Sequence, residues 1–163
     1  MRKLLYTLAL LGSLAVYGQS DIFVNVGSGQ AKEFIGDDVK HGTMTQLGVN
    51  LDLFGKKKFD FGASIATTLM GDLSSDIELL QAEQIGMAGL FVGFNNDNMA
   101  LKAKYLLPVL DEDPIFKSAV SGVLTLKAGK KRNFGFNFGV DYYFNRHIFH
   151  YTYSLNTGIT FKL

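Results

Sequence analysis

From Phe134 to Phe144 every second residue is large and apolar: Phe134, Phe136, Phe138, Val140, Tyr142 and Phe144. The residues between them are Gly135, Asn137, Gly139, Asp141 and Tyr143. Successive side chains of a strand point to opposite faces, so this segment has one oily, aromatic face and one small, polar face. The last run repeats the pattern. Tyr153, Leu155, Ile159, Phe161 and Leu163 share one face, and Ser154, Asn156, Gly158, Thr160 and Lys162 the other.

Period-two alternation predicts six further strands, at about 21–27, 43–54, 59–70, 84–94, 99–107 and 117–128. The fourth is the least regular, because Met87 and Phe91 interrupt its polar face. Short connections alternate with longer ones. Gly55-Lys56-Lys57-Lys58, Asn95-Asn96-Asp97-Asn98 and Gly129-Lys130-Lys131-Arg132-Asn133 read as hairpin turns, where Gly and Asn accept positive φ. The longer connections are expected at about 28–42, 71–83, 108–116 and 145–150. In an up-and-down barrel, alternate connections emerge at opposite ends. The expected fold is therefore all-β: an eight-stranded antiparallel up-and-down transmembrane β-barrel.

The faces choose between a membrane barrel and a soluble one. A soluble barrel of this type turns its apolar face inward and crowds its outside with charge. Here the polar face is mostly Gly, Ser, Thr, Asn and Ala, suited to the narrow interior of eight strands. The other face carries Leu, Phe, Val and Tyr, suited to lipid tails. Hydrocarbon leaves no water for unpaired backbone groups, so the sheet must close.

Composition adds three constraints. Met1-Arg2-Lys3, the apolar run Leu4–Val16 and Val16-Tyr17-Gly18 read as a signal peptide over 1–18, which leaves 19–163 as the barrel and implies export through the periplasm. There is no Cys, so stability cannot come from disulfides. The net charge of +1 carries no general polyanion signal, and nucleic acid is not an expected partner.

Charge is sorted by connection. The short turns hold Lys56, Lys57, Lys58, Lys130, Lys131 and Arg132, and the longer ones Glu33, Asp37, Asp38, Asp72, Asp76, Glu78, Glu83, Asp111, Glu112 and Asp113. Basic turns suit an anionic phospholipid leaflet. The acids suit divalent cations at a lipopolysaccharide surface, or simply keep the loops solvated. On the polar strand faces, Asp52, Asp60 and Asp141 accompany Lys102, Lys104, Lys127 and Lys162. They are expected to pair as a lumen charge network, because unpaired burial is costly. Tyr105, Tyr142, Tyr151, Tyr153 and several Phe take the place of Trp in interfacial girdles.

The eight alternating strands and the ending Gly158-Ile159-Thr160-Phe161-Lys162-Leu163 resemble small outer-membrane β-barrels such as the OmpA membrane domain and OmpX. That ending and the Gly-Lys-Lys-Lys turn look like the outer membrane protein beta-barrel domain of Bacteroidetes-type bacteria. The resemblance implies a Gram-negative outer-membrane location, outer-membrane lipids as surroundings, and insertion by the barrel-assembly machinery. Tyr153, Leu155, Ile159, Phe161 and Leu163 would form the assembly signal, ending in Leu where the family usually ends in Phe. It further implies a structural or interaction role in envelope integrity, adhesion or docking through the outer loops, including an extracellular partner.

Two alternatives have other chemistry. Lipid A deacylase barrels use a His-x-Ser motif, and His150-Tyr151-Thr152 with Ser154 is similar to it; no acid follows before Leu163, so a carboxylate would have to come from Asp141 or Asp113. The other is a barrel holding a small apolar ligand. His41 and His147 read as solvated loop residues. No metal or cofactor motif is present: the glycines follow strand alternation, and Asp111-Glu112-Asp113-Pro114 reads as a turn. Ser75-Asp76-Ile77-Glu78 is a capping box that predicts a short loop helix through Gln84.

Overall fold

The computed structural model describes residues 20–33, 39–56, 58–71, 83–109, 116–129, 131, 133–145 and 149–163. These form eight strands: β1 (Ser20–Glu33), β2 (Val39–Lys56), β3 (Phe59–Gly71), β4 (Glu83–Asn95), β5 (Met99–Pro108), β6 (Phe116–Ala128), β7 (Phe134–Asn145) and β8 (Phe149–Lys162). Each pairs antiparallel with its sequence neighbour, and β1 pairs with β8, so the sheet closes into a barrel. The signal-peptide segment 1–18 and the acidic cluster 111–114 lie outside the described residues. So does most of the expected loop helix; its last residues, Glu83 and Gln84, instead open β4.

Alternation decides which way every strand faces. Along β5, exposed Leu101, Ala103, Tyr105 and Leu107 alternate with buried Ala100, Lys102, Lys104 and Leu106. On β7, Asn137, Asp141 and Tyr143 are buried in the lumen, while Phe136, Phe138, Val140, Tyr142 and Phe144 stand exposed on the outside. A water-soluble barrel would place these the other way round.

Several connections are shorter than expected. The first strand runs to Glu33 rather than residue 27, and β2 begins at Val39 rather than 43. The segment left between them is 34–38, and that between β7 and β8 is 146–148. Polar Gly27–Gln30 has weak strand propensity, but β2 and β8 pair with it on both sides and hold its backbone bonds. The short β2–β3, β4–β5 and β6–β7 turns, with Ser20 and Leu163, share one end, called here the turn end. Gly129 has φ of 82° in the β6–β7 turn, where an L side chain would be strained.

The closing seam is tight. Leu163 donates its backbone N–H to the Ser20 carbonyl at 2.9 Å. Gly158 on β8 faces Asn25 on β1, and a Cβ at Gly158 would run into the Val24 carbonyl and the Asn25 side chain. Gly158→Val should therefore cost roughly 1–3 kcal/mol by overpacking and reduce the folded, faster-migrating band on unboiled gels. An undiminished band would show that the seam yields easily.

Candidate functional site: a plugged lumen

The lumen holds three layers. At the turn end, Lys102 on β5 forms an ion pair with Asp21 on β1 and lies 3.7 Å from Asp52 on β2. Its ammonium group also sits 4.6 Å from the centre of the Phe91 ring. Lys127 donates to the Asn95 side chain and, at 2.6 Å, to the Asn96 carbonyl. Asp60 and Lys162 face the same cavity of about 40 Å³, which is also lined by Thr125 and Thr160. That space admits a few waters.

The middle layer is an amide network. Asn137 donates to Asn25 Oδ1 at 2.9 Å and accepts from Thr125 Oγ1 at 2.8 Å and Thr160 Oγ1 at 2.9 Å. Ser64 donates to Asn50 Oδ1 at 2.9 Å, and Asn25 donates to Gln46 at 3.4 Å. Lys104 is buried, with its ammonium group 3.8 Å from the centre of the Phe23 ring. Asp141 Oδ2 accepts from Asn156 Nδ2 at 2.7 Å and Ser154 Oγ at 3.3 Å.

Away from the turn end the lumen becomes apolar. Met44, Ile85, Met87, Leu106, Phe116, Ala119 and Tyr143 form one buried cluster, with the Phe116 and Tyr143 rings 4.9 Å apart. Met87 and Phe91, which interrupt the polar face of β4 in sequence, are both buried in the lumen, Met87 in this cluster and Phe91 beside Lys102 at the turn end.

The outward wall is apolar from strand to strand, with Val24, Val26, Leu90, Val92, Leu101, Val120, Phe138, Val140 and Leu155 exposed on it. Of the expected girdle, Tyr105 and Tyr142 are exposed on this wall, and Tyr153 is hydrogen-bonded to Gln30 across the seam. Of the assembly-signal residues, Leu155, Phe161 and Leu163 are exposed and Tyr153 and Ile159 half-buried.

Compared with solved structures, the chain is similar to Neisserial surface protein A, with a TM-score of 0.58 and 11% identity over 90% of this chain and 99% of that one. Its fold is that of a small eight-stranded outer-membrane barrel. A second solved structure is the Yersinia pestis outer membrane protein Ail, with a TM-score of 0.40 and 16% identity over 90% of this chain and 99% of that one. No protein-family model and no curated protein sequence matches the chain.

The closed barrel places two of the enzymatic candidates inside. Thr152 and Ser154 are fully buried lumen residues of β8, and Ser154 is bonded to Asp141. A lipid approaching along the outer wall meets neither hydroxyl. The side chain of His150, and His147 and Asp113 altogether, lie outside what is described, while His41 is exposed on β2. Among the described residues, no group of three or more His, Asp or Glu is placed to hold a metal ion.

Sequence reasoning put Asp52, Asp60, Lys102, Lys104, Lys127 and Asp141 on one wall, and the structure divides them. Lys102, Asp52, Asp60 and Lys127 meet around the turn-end cavity, while Lys104 and Asp141 lie farther from it. Asp21 and Asn137 were not singled out. Both alternate with outward apolar residues, so parity alone would have found them.

Proposed function

We propose that this protein is an integral barrel of a Gram-negative outer membrane, reached by export through the periplasm, with a structural or interaction role carried by the connections at the end opposite the short turns. The observation that carries this reading is the reversal of the usual protein interior: hydrogen-bonded amides and charges inside, bare Leu, Val and Phe outside. Exposed apolar area of that extent marks an interaction with membrane or partner, and a closed sheet satisfies the backbone that oil cannot.

The packing argues against the ligand-carrier alternative. Small-molecule pockets run to about 300–1,000 Å³, whereas two lumen spaces lined by described residues, around Lys102 and Lys104, are about 40 and 10 Å³. A dense interior suits a scaffold that presents its loops to a partner outside the cell.

Cell fractionation followed by gel electrophoresis tests the reading. The protein should pellet with outer membranes and migrate faster unboiled than boiled. Recovery of folded protein in soluble periplasmic extract would overturn it.

A further inference from the structure

We propose that a two-strand notch of polar side chains, high on the outward wall, seats one glycolipid whose acyl chains are amide-linked and hydroxylated next to the sugar. This rests on the reading that the outward wall lies in lipid.

Stagger decides which outward residues share a level. Paired residues followed once around the ring from Asp21 return to β1 at Ala31, ten residues farther on. Strands in a ring of eight with that stagger tilt by about 43°, and each residue then climbs roughly 2.4 Å along the barrel axis. On that scale a lipid-facing band about 25 Å tall spans about ten residues. Measured up from the exposed rings of Phe54 and Phe59 at the turn end, the band ends level with Val109, just past β5, and Phe144 on β7, both exposed.

At and just beneath that limit, Leu69 on β3, Leu107 on β5, Tyr142 on β7 and Leu155 on β8 are exposed. On β1 and β2 the same levels carry Ser28, Thr43 and Thr45 instead. Ser28 and Thr43 are paired directly and exposed, and Thr45 lies one side-chain step lower on the same face of β2. Above them, Gln30 is paired with His41 and hydrogen-bonded to Tyr153. Among the described residues, none of the three hydroxyls has a hydrogen-bond partner. Tilting a barrel would shift its boundary gradually around the ring. This step is instead confined to two strands, with Leu155 beside Ser28 on one side and Leu69 beside Thr45 on the other.

Two strands span about 10 Å, which is the width of a lipid. A hydroxyl both donates and accepts. An ester-linked phospholipid offers only acceptors at this depth. An amide-linked, hydroxylated chain offers N–H and O–H donors as well, within a few bonds of its sugar. Those groups match the drop from Thr43 to Thr45, about 5 Å along the axis. The sugar then stands level with His41, Gln30 and Tyr153, and the chains run down between Leu155 and Leu69.

Purified full-length protein in nanodiscs holding equal amounts of lipid A and phosphatidylethanolamine tests this by native mass spectrometry of retained lipid. Wild type should retain one lipid A in preference to the phospholipid. Ser28→Ala/Thr43→Val/Thr45→Val removes the hydroxyls from the wall. At about threefold per hydrogen bond within a membrane, its preference should fall roughly thirtyfold. Equal retention of the two lipids by wild type, or an unchanged preference in the triple variant, overturns the proposal. So does a wild-type dimer that the triple variant abolishes, because the notch then receives a second copy. Where the triple variant does not fold, Thr45→Val alone decides: a threefold loss of preference supports the seat, and no loss overturns it. Failure of wild type to enter the nanodisc would instead sink the membrane reading itself.

Discussion

Lys102→Met should lower the unfolding free energy of the barrel by about 3 kcal/mol, the low end of the cost of removing one partner from a buried ion pair. Lys102 stands between two carboxylates, Asp21 on β1 and Asp52 on β2, and all three side chains are largely shielded from solvent. Taking away the ammonium group leaves two like charges facing each other across a cavity of about 40 Å³. Waters in that cavity soften the penalty, which is why the low end applies. The chain has no Trp, so unfolding in urea is best followed by the folded band on unboiled gels and by circular dichroism. Adding Asp21→Asn and Asp52→Asn to Lys102→Met should recover more than half of the loss, because neutral amides tolerate a site without a cation. A loss below 1 kcal/mol, or no recovery in the triple variant, would show that the network does not hold β1 and β2 to β5.

Strand positions were legible wherever both faces kept their character. The expected strands at 59–70, 99–107 and 134–144 differ from β3, β5 and β7 by one residue at their far ends. Legibility failed where a face changed chemistry along its length. Met87 and Phe91 look like errors in a polar lumen face, yet both point inward: Met87 because the lumen itself turns apolar away from the turn end, and Phe91 because its ring lies against the Lys102 ammonium at the turn end. Gly27–Gln30 looks like a loop because it offers little to bury; two neighbouring strands supply pairing that local propensity does not.

The lumen network was only half visible for a different reason. Parity tells which residues face inward, but not which of them meet. Lys102 and Asp21 are 81 positions apart and come together across the barrel rather than along a hairpin. Which lumen residues share a level depends on strand number and stagger together, and stagger is a property of the closed sheet. The start of β1 read from sequence near 21, and that of β8 just after the connection at about 145–150, do not disclose it.

Phe116→Ala tests the other end of the lumen, and here the expected change is in permeation as well as stability. Phe116 is fully buried, with Tyr143 against its ring and Met44, Ile85, Met87 and Leu106 in the same cluster. Truncation to Ala should cost about 3–5 kcal/mol, the sum of lost transfer energy and an unfilled cavity. The cluster is also the stretch of lumen without the ion pairs and amides that could coordinate water. Wild-type protein in planar bilayers should therefore be electrically silent, and Phe116→Ala should produce small, voltage-independent conductance. Phe116→Leu keeps most of the apolar volume and should remain silent at a cost below that of Ala. If the folded Ala variant conducts no better than wild type, the barrier lies in the charged and amide layers instead, and Lys102→Met rather than Phe116→Ala should be the variant that leaks. The two substitutions thus assign the seal to one end of the barrel or the other, in the same bilayer and with the same readout.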